Sequence, residues 1–155
     1  MSELIAIRFF VPGTPEKKGS SKGFGFIRKS GPRAGSIGVN ITNDAGPKAK
    51  TWAALVSSFA STAMAGRAPL DGPVRVEIVF HLLRPKGHFG KRGLKPSAPK
   101  YPAVKPDGDK MVRCAWDALS GVVFCDDRQV VEWPGGKVYA VDGRVGAAFA
   151  ITPLV

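Results

Sequence analysis

The chain is poor in the residues that build metal knots and disulfide scaffolds. It has two cysteines and two histidines in 155 residues. Neither Cys114 nor Cys125 stands at a zinc-ligand spacing from His81 or His88, so both cysteines read as free thiols of a reducing compartment. No apolar run approaches a membrane span, and the first residues carry no basic stretch followed by an apolar one, which predicts a cytoplasmic protein with no membrane partner. A Walker A loop and a complete G-x-G-x-x-G are both missing, so no nucleotide cofactor is expected. Negative charge is scarce: 12 Asp and Glu face 23 Lys and Arg, a formal charge of +11. That imbalance points to a polyanionic partner, of which nucleic acid is the commonest. With 44% hydrophobic residues the chain is not disordered, and residues 1–155 suit one domain without repeats.

The few carboxylates are concentrated. Asp107 with Asp109 and Asp126 with Asp127 form two doublets inside Lys105–Glu132. Pro106 marks a boundary, after which Asp107 or Asp109 can cap a helix running to about Leu119, with Gly121 as its stop. Asp109, Arg113 and Asp117 then share one polar edge, with Lys110 beside them. Val112, Ala115, Trp116 and Leu119 form the neighbouring apolar arc. Val122 to Phe124 leads into the second doublet, and Gln129 to Trp133 reads as a strand. If helix and strand pack together, the second doublet folds back on the first. Three or four converging carboxylates repel unless a cation joins them, and hard oxygen ligands suit Mg²⁺ or Mn²⁺. Taken singly, each residue has a plainer reading as a cap, a turn or an i, i+4 partner. An EF-hand is excluded, because its sixth and twelfth positions hold Val112 and Ala118.

Taken together, the stretch resembles the RusA family of Holliday-junction resolvases. That family's signature runs K-P-D-x-D-N, a basic residue, D-A-L-x-G and D-D-x-Q-V. Here it stands as Lys105-Pro106-Asp107-Gly108-Asp109, Asp117-Ala118-Leu119-Ser120-Gly121 and Asp126-Asp127-Arg128-Gln129-Val130. Val11-Pro12-Gly13 and Arg84-Pro85-Lys86 are weaker echoes. The usual Asn after the second Asp is Lys110, and the usual Lys four residues after that Asp is Arg113. The resemblance implies a Mg²⁺-dependent endodeoxyribonuclease, with Mn²⁺ as a substitute, that nicks four-way junctions in recombination and repair. It implies Asp107, Asp109 and Asp127 as metal ligands, with Asp126 as neighbour or alternate. Arg113 is the candidate for the cation that offsets developing charge, and Lys110 the reserve. Paired cuts in branched double-stranded DNA imply a homodimer, in a bacterial or phage-infected cell.

Elsewhere, Leu4 to Val11 reads as a strand stopped by Pro12-Gly13. Residues 14–43 form a basic, flexible loop region. Within it Phe24–Ile27 and Ile37–Ile41 can pair as a hairpin, with Phe24 and Phe26 partly buried. Lys22 to Ile27 matches the start of an RNA-recognition motif, but too few residues precede it for that fold. Pro47 to about Gly66 is a helix with Trp52, Leu55, Val56, Phe59, Ala63 and Met64 on its inner side. Val74 to Leu83 is a strand with one inward face, and His81 on it is structural or faces solvent. Residues 84–105 form a second basic loop, in which Lys86, Lys91, Arg92, Lys95, Lys100 and Lys105 are the candidate DNA contacts, ordering on binding. Gln129–Val141 and Val145–Ile151 read as an antiparallel pair turning at Asp142-Gly143, with an earlier irregularity at Pro134-Gly135-Gly136.

The expected fold is α+β, a mixed sheet packed with two main helices. Two rivals to the resolvase reading are a binding protein with a weakened site that captures branched DNA, and a nuclease acting on flaps or forks. Lys110 and Arg113 motivate the first, since a cation beside the ligands competes with metal.

Overall fold

The computed structural model describes residues 5–19, 21–43 and 46–155. Its centre is β4 (Val74–Leu82), whose alternation buries Val74, Val76, Ile78, Phe80 and Leu82 on one face. β9 (Gly146–Pro153) runs antiparallel along one edge of β4, and β1 (Ile7–Pro12) runs antiparallel outside β9. On the other edge of β4, β7 (Val130–Glu132) and β8 (Gly135–Tyr139) follow one another, both parallel to it. The sheet is therefore mixed. Its buried face carries α1 (Pro47–Met64) and α2 (Gly108–Leu119), and residues of both helices join β1, β4 and β9 in one core cluster.

α1 starts with Pro at its first position and ends at Ala65 in the left-handed region. Trp52, Val56, Ala60 and Met64 form its buried row, while Phe59 is exposed. The inner side thus lies on Ala60 where the sequence pattern favours Phe59. α2 is displaced in the same sense: it buries Met111, Cys114, Ala115, Ala118 and Leu119, whereas Val112 and Trp116 are only partly buried. The cause is α1, which packs on the Cys114/Ala118 side. Ser57 Oγ donates to the carbonyl of Ala118 at 2.7 Å.

Two strand expectations change and a third is refined. β1 begins at Ile7, and Leu4 lies outside the described residues. The span Gln129–Val141 breaks into β7 and β8 at the irregularity expected around Pro134-Gly135, with a short 3₁₀ turn at Asp127–Gln129 before them. β8 and β9 do not pair with each other, since β4 lies between them. Gly135 makes this possible: a Cβ there would stand 1.9 Å from the Ile78 carbonyl oxygen, so only glycine lets β8 come this close to β4. The turn at Asp142 and Gly143, both at positive φ, then carries the chain across the end of β4.

The basic regions contain regular structure. β2 (Ser21–Ile27) pairs antiparallel with β3 (Ile37–Asn43), as the hairpin pattern predicts, but Phe24 and Phe26 are exposed, 58% and 41%, and not partly buried. Residues 84–105 hold a 3₁₀ turn at Lys86–His88 and a small hairpin, β5 (Phe89–Gly90) with β6 (Gly93–Leu94). Among the described residues, no helix is long and apolar enough to cross a membrane.

Candidate active site

The first acidic doublet opens α2. Asp107 occupies the N-cap position with extended backbone, and its carbonyl accepts the N–H of Met111 at 3.1 Å. Its side chain makes no capping bond; Oδ2 stands 3.3 Å from Lys110 Nζ. Asp109, in the first turn, accepts from Arg113 Nη2 at 2.8 Å. That bond holds the Asp109 carboxyl below its ordinary pKa. The polar edge continues to Asp117, whose Oδ2 lies 2.6 Å from Lys18 Nζ, and the Lys18 N–H donates to the Lys110 carbonyl at 3.0 Å. The chain leading to the β2–β3 hairpin is thereby fastened along α2.

The loop entering α2 is held by a residue the sequence reading missed. Lys137, beside Phe80 in the β4–β8 register, donates through Nζ to the carbonyls of Val104 and Pro106. A lone lysine in a glycine- and valine-rich strand was the available signal.

The second doublet is built differently. Asp126 Oδ1 accepts the Arg128 N–H at 2.9 Å, which lowers its pKa. Gln129 fixes the turn from inside. Its Oε1 accepts from the N–H groups of Cys125 and Asp126 at 2.8 and 2.9 Å. Its Nε2 donates to the carbonyls of Leu70 and Gly72 at 3.0 and 2.8 Å. Both lone-pair sites and both amide hydrogens are thus used, and Asp126-Asp127 is moored to the chain that enters β4.

These moorings keep the doublets apart. Asp107 and Asp109 sit at the start of α2, near Lys137 in the middle of β8. Asp126 and Asp127 lie beyond its other end, near the start of β4. A helix of 12 residues spans about 18 Å. Among the described residues, no group of three or more His, Cys, Asp or Glu is placed to hold a metal ion. The expected folding-back of the second doublet does not occur within one chain. Asp107 and Asp109 offer hard oxygens of the kind Mg²⁺ takes, and among the described residues no third carboxylate joins them.

Beside Asp109 lies a cavity of about 460 Å³ between α2, β4 and β8, lined by Ile78, Phe80, Val112, Trp116, Trp133 and Gly135. Trp116 and Trp133 meet edge to face at 5.9 Å, and Asp109, Arg113 and Lys137 also border the space.

Lys86, Lys91, Arg92, Lys95, Lys100 and Lys105 are all exposed. Lys95 Nζ donates to the Gly87 carbonyl at 2.8 Å, and Lys100 Nζ lies 5.3 Å from the Tyr101 ring centre. Arg84 fastens the loop, with Nη1 donating to the Pro99 carbonyl at 2.7 Å and its guanidinium 4.1 Å over the Tyr139 ring.

This is an α+β domain in which an exposed, lysine-bearing loop leads into an acidic helix start. Residues 34–147 match endodeoxyribonuclease RusA, and the chain belongs to the RusA endodeoxyribonuclease family. It is also similar to an uncharacterized protein, YqaN, of Bacillus subtilis (strain 168), with 33% identity over 79 residues. That match covers 49% of this chain and 56% of the relative, whose name assigns no activity.

Proposed function

We propose that the chain is a Mg²⁺-dependent endodeoxyribonuclease that resolves four-way DNA junctions by paired nicks, working as a cytoplasmic homodimer in recombination and repair. Membership of the RusA family carries the reading. The exposed lysines of residues 84–105, leading straight into Asp107, support it as the electrostatic hold on the DNA backbone. The homodimer has its own support. Among the described residues of one chain, Asp107 and Asp109 have no third acidic ligand beside them, so a second copy contributing Asp127, with Asp126 as alternate, completes the metal set. Arg113 then meets a phosphate oxygen on the same helical edge, after parting from Asp109.

A second reading is favoured by one observation. Both carboxylates at the start of α2 are paired with cations, Asp107 with Lys110 and Asp109 with Arg113. Those pairs compete with metal and fit a protein that captures branched DNA without cutting it. Incubation with an immobile four-way junction, a flap, a fork and a duplex, with Mg²⁺ and with chelator, separates the readings. Symmetrical nicks in the junction that need Mg²⁺ are expected. Tight binding without cutting in Mg²⁺ or Mn²⁺, with cutting gained by Lys110→Asn, would establish the binding protein instead.

A further inference from the structure

The β2–β3 hairpin has two chemically different faces. On one, Phe24 and Phe26 stand opposite Asn40 and Gly38, with Lys22 on the same side. The Phe26 ring lies over Gly38, where a Cβ would meet it at 2.5 Å, and the Arg28 guanidinium lies 6.0 Å from that ring's centre. On the other face, Ile27, Ile37, Val39 and Ile41 are 67%, 76%, 62% and 74% exposed. Their β2 neighbours in register are Gly23 opposite Ile41 and Gly25 opposite Val39. From Gly23 to Ile27 and from Ile37 to Ile41 this face carries no charge. It is a ridge of branched side chains on β3 beside a β2 side that is low at Gly23 and Gly25 and rises at Ile27, opposite Ile37.

We propose that two copies of the chain meet on this aliphatic face, hairpin upon hairpin about a two-fold axis that runs along the strands. Such an axis lays Val39 and Ile41 of each copy over the Gly23-Gly25 groove of the other and sets Ile37 against Ile27, so the surface is complementary to itself, as an isologous contact requires. A chain of net charge +11 repels its copy almost everywhere, and an uncharged patch is where that repulsion is least. Covering the four side chains on both copies removes about 1,000 Å² from water, the lower bound for a specific interface. Pairing also answers a local need, because a two-stranded hairpin is marginal in water until one face is covered. Nucleic acid is a poor occupant, since the face offers phosphate no cation. The attachment of Lys18 to Lys110 and Asp117 places the joined hairpins at the side of α2. The inference rests on the homodimer reading above, not on cutting.

Sedimentation velocity on the full chain, with circular dichroism as a check on folding, tests it. Wild type is expected to be a dimer, and Val39→Glu and Ile41→Lys, each placing a charge against its own copy, should weaken self-association at least about 100-fold. Phe24→Ser, on the opposite face, should remain dimeric. A monomeric wild type, or dimers that survive both charge substitutions, would overturn the proposal. So would a dimer unchanged by Val39→Glu whose junction binding is lost, which would assign the face to DNA. If dimers survive both substitutions and junctions are still cut, the function stands and the interface lies elsewhere.

Discussion

Gln129 shows how one side chain can set the position of two carboxylates through hydrogen bonds to the backbone alone. Its four hydrogen bonds tie the Asp126-Asp127 turn to Leu70 and Gly72. Gln129→Ala should lower stability by roughly 1–3 kcal/mol, because the partners regain water only in part. The midpoint of urea unfolding checks this, and an unchanged midpoint would mean the turn holds without it. Gln129 was visible in the sequence only as part of a motif and a strand. Its role depends on Leu70, some sixty residues away, and no local pattern encodes such a partner. His81 gives a pH-dependent counterpart. Burial, and then the charge of Arg144, push its pKa below 6.5. The unfolded chain therefore binds a proton more readily, and His81 favours folding fully above about pH 6.5 and less as pH falls toward its folded value. Wild type should lose stability between pH 7.5 and 5.5, and His81→Gln should lose less over the same interval in parallel melts.

At the scale of elements, boundaries were legible where a backbone constraint is written in one residue. Pro47 opens α1, and Gly121, at φ 79, stops the chain just past α2. Which face turns inward was less legible. Val112 and Trp116 fit a helical stripe as well as Met111, Cys114 and Ala118 do, and only the placement of α1 selects between them. The pairing of β8 with β4 was hidden for a similar reason. Asp142-Gly143 reads as a hairpin turn, and nothing local says that a third strand will lie between the two arms. The basic loop allows an element-level test. Lys91→Ala, Arg92→Ala and Lys95→Ala combined should weaken junction binding and reduce its salt dependence by roughly one unit of slope for each phosphate that is no longer neutralised. A slope equal to wild type would move the DNA-binding surface to the basic N-terminal region.

For the whole molecule, the fold class and the family could be read from the chain, whereas the separation of the two acidic doublets could not. The sequence places two doublets within 28 residues of each other; the structure moors one to β8 through Lys137 and the other to the entrance of β4 through Gln129. On the proposed reading a complete ligand set is a property of two chains, and the rival arrangement keeps every ligand in one. Co-expression of Asp109→Asn copies with Asp127→Asn copies, assayed on a four-way junction in Mg²⁺, decides between them. Each variant alone has both sites broken. A mixed dimer with shared sites carries both lesions in one site and none in the other, so nicking of the junction should return, as single rather than paired cuts. Mixed dimers as inactive as either parent, beside a wild type that cuts, would contradict the shared site and return the whole site to a single chain.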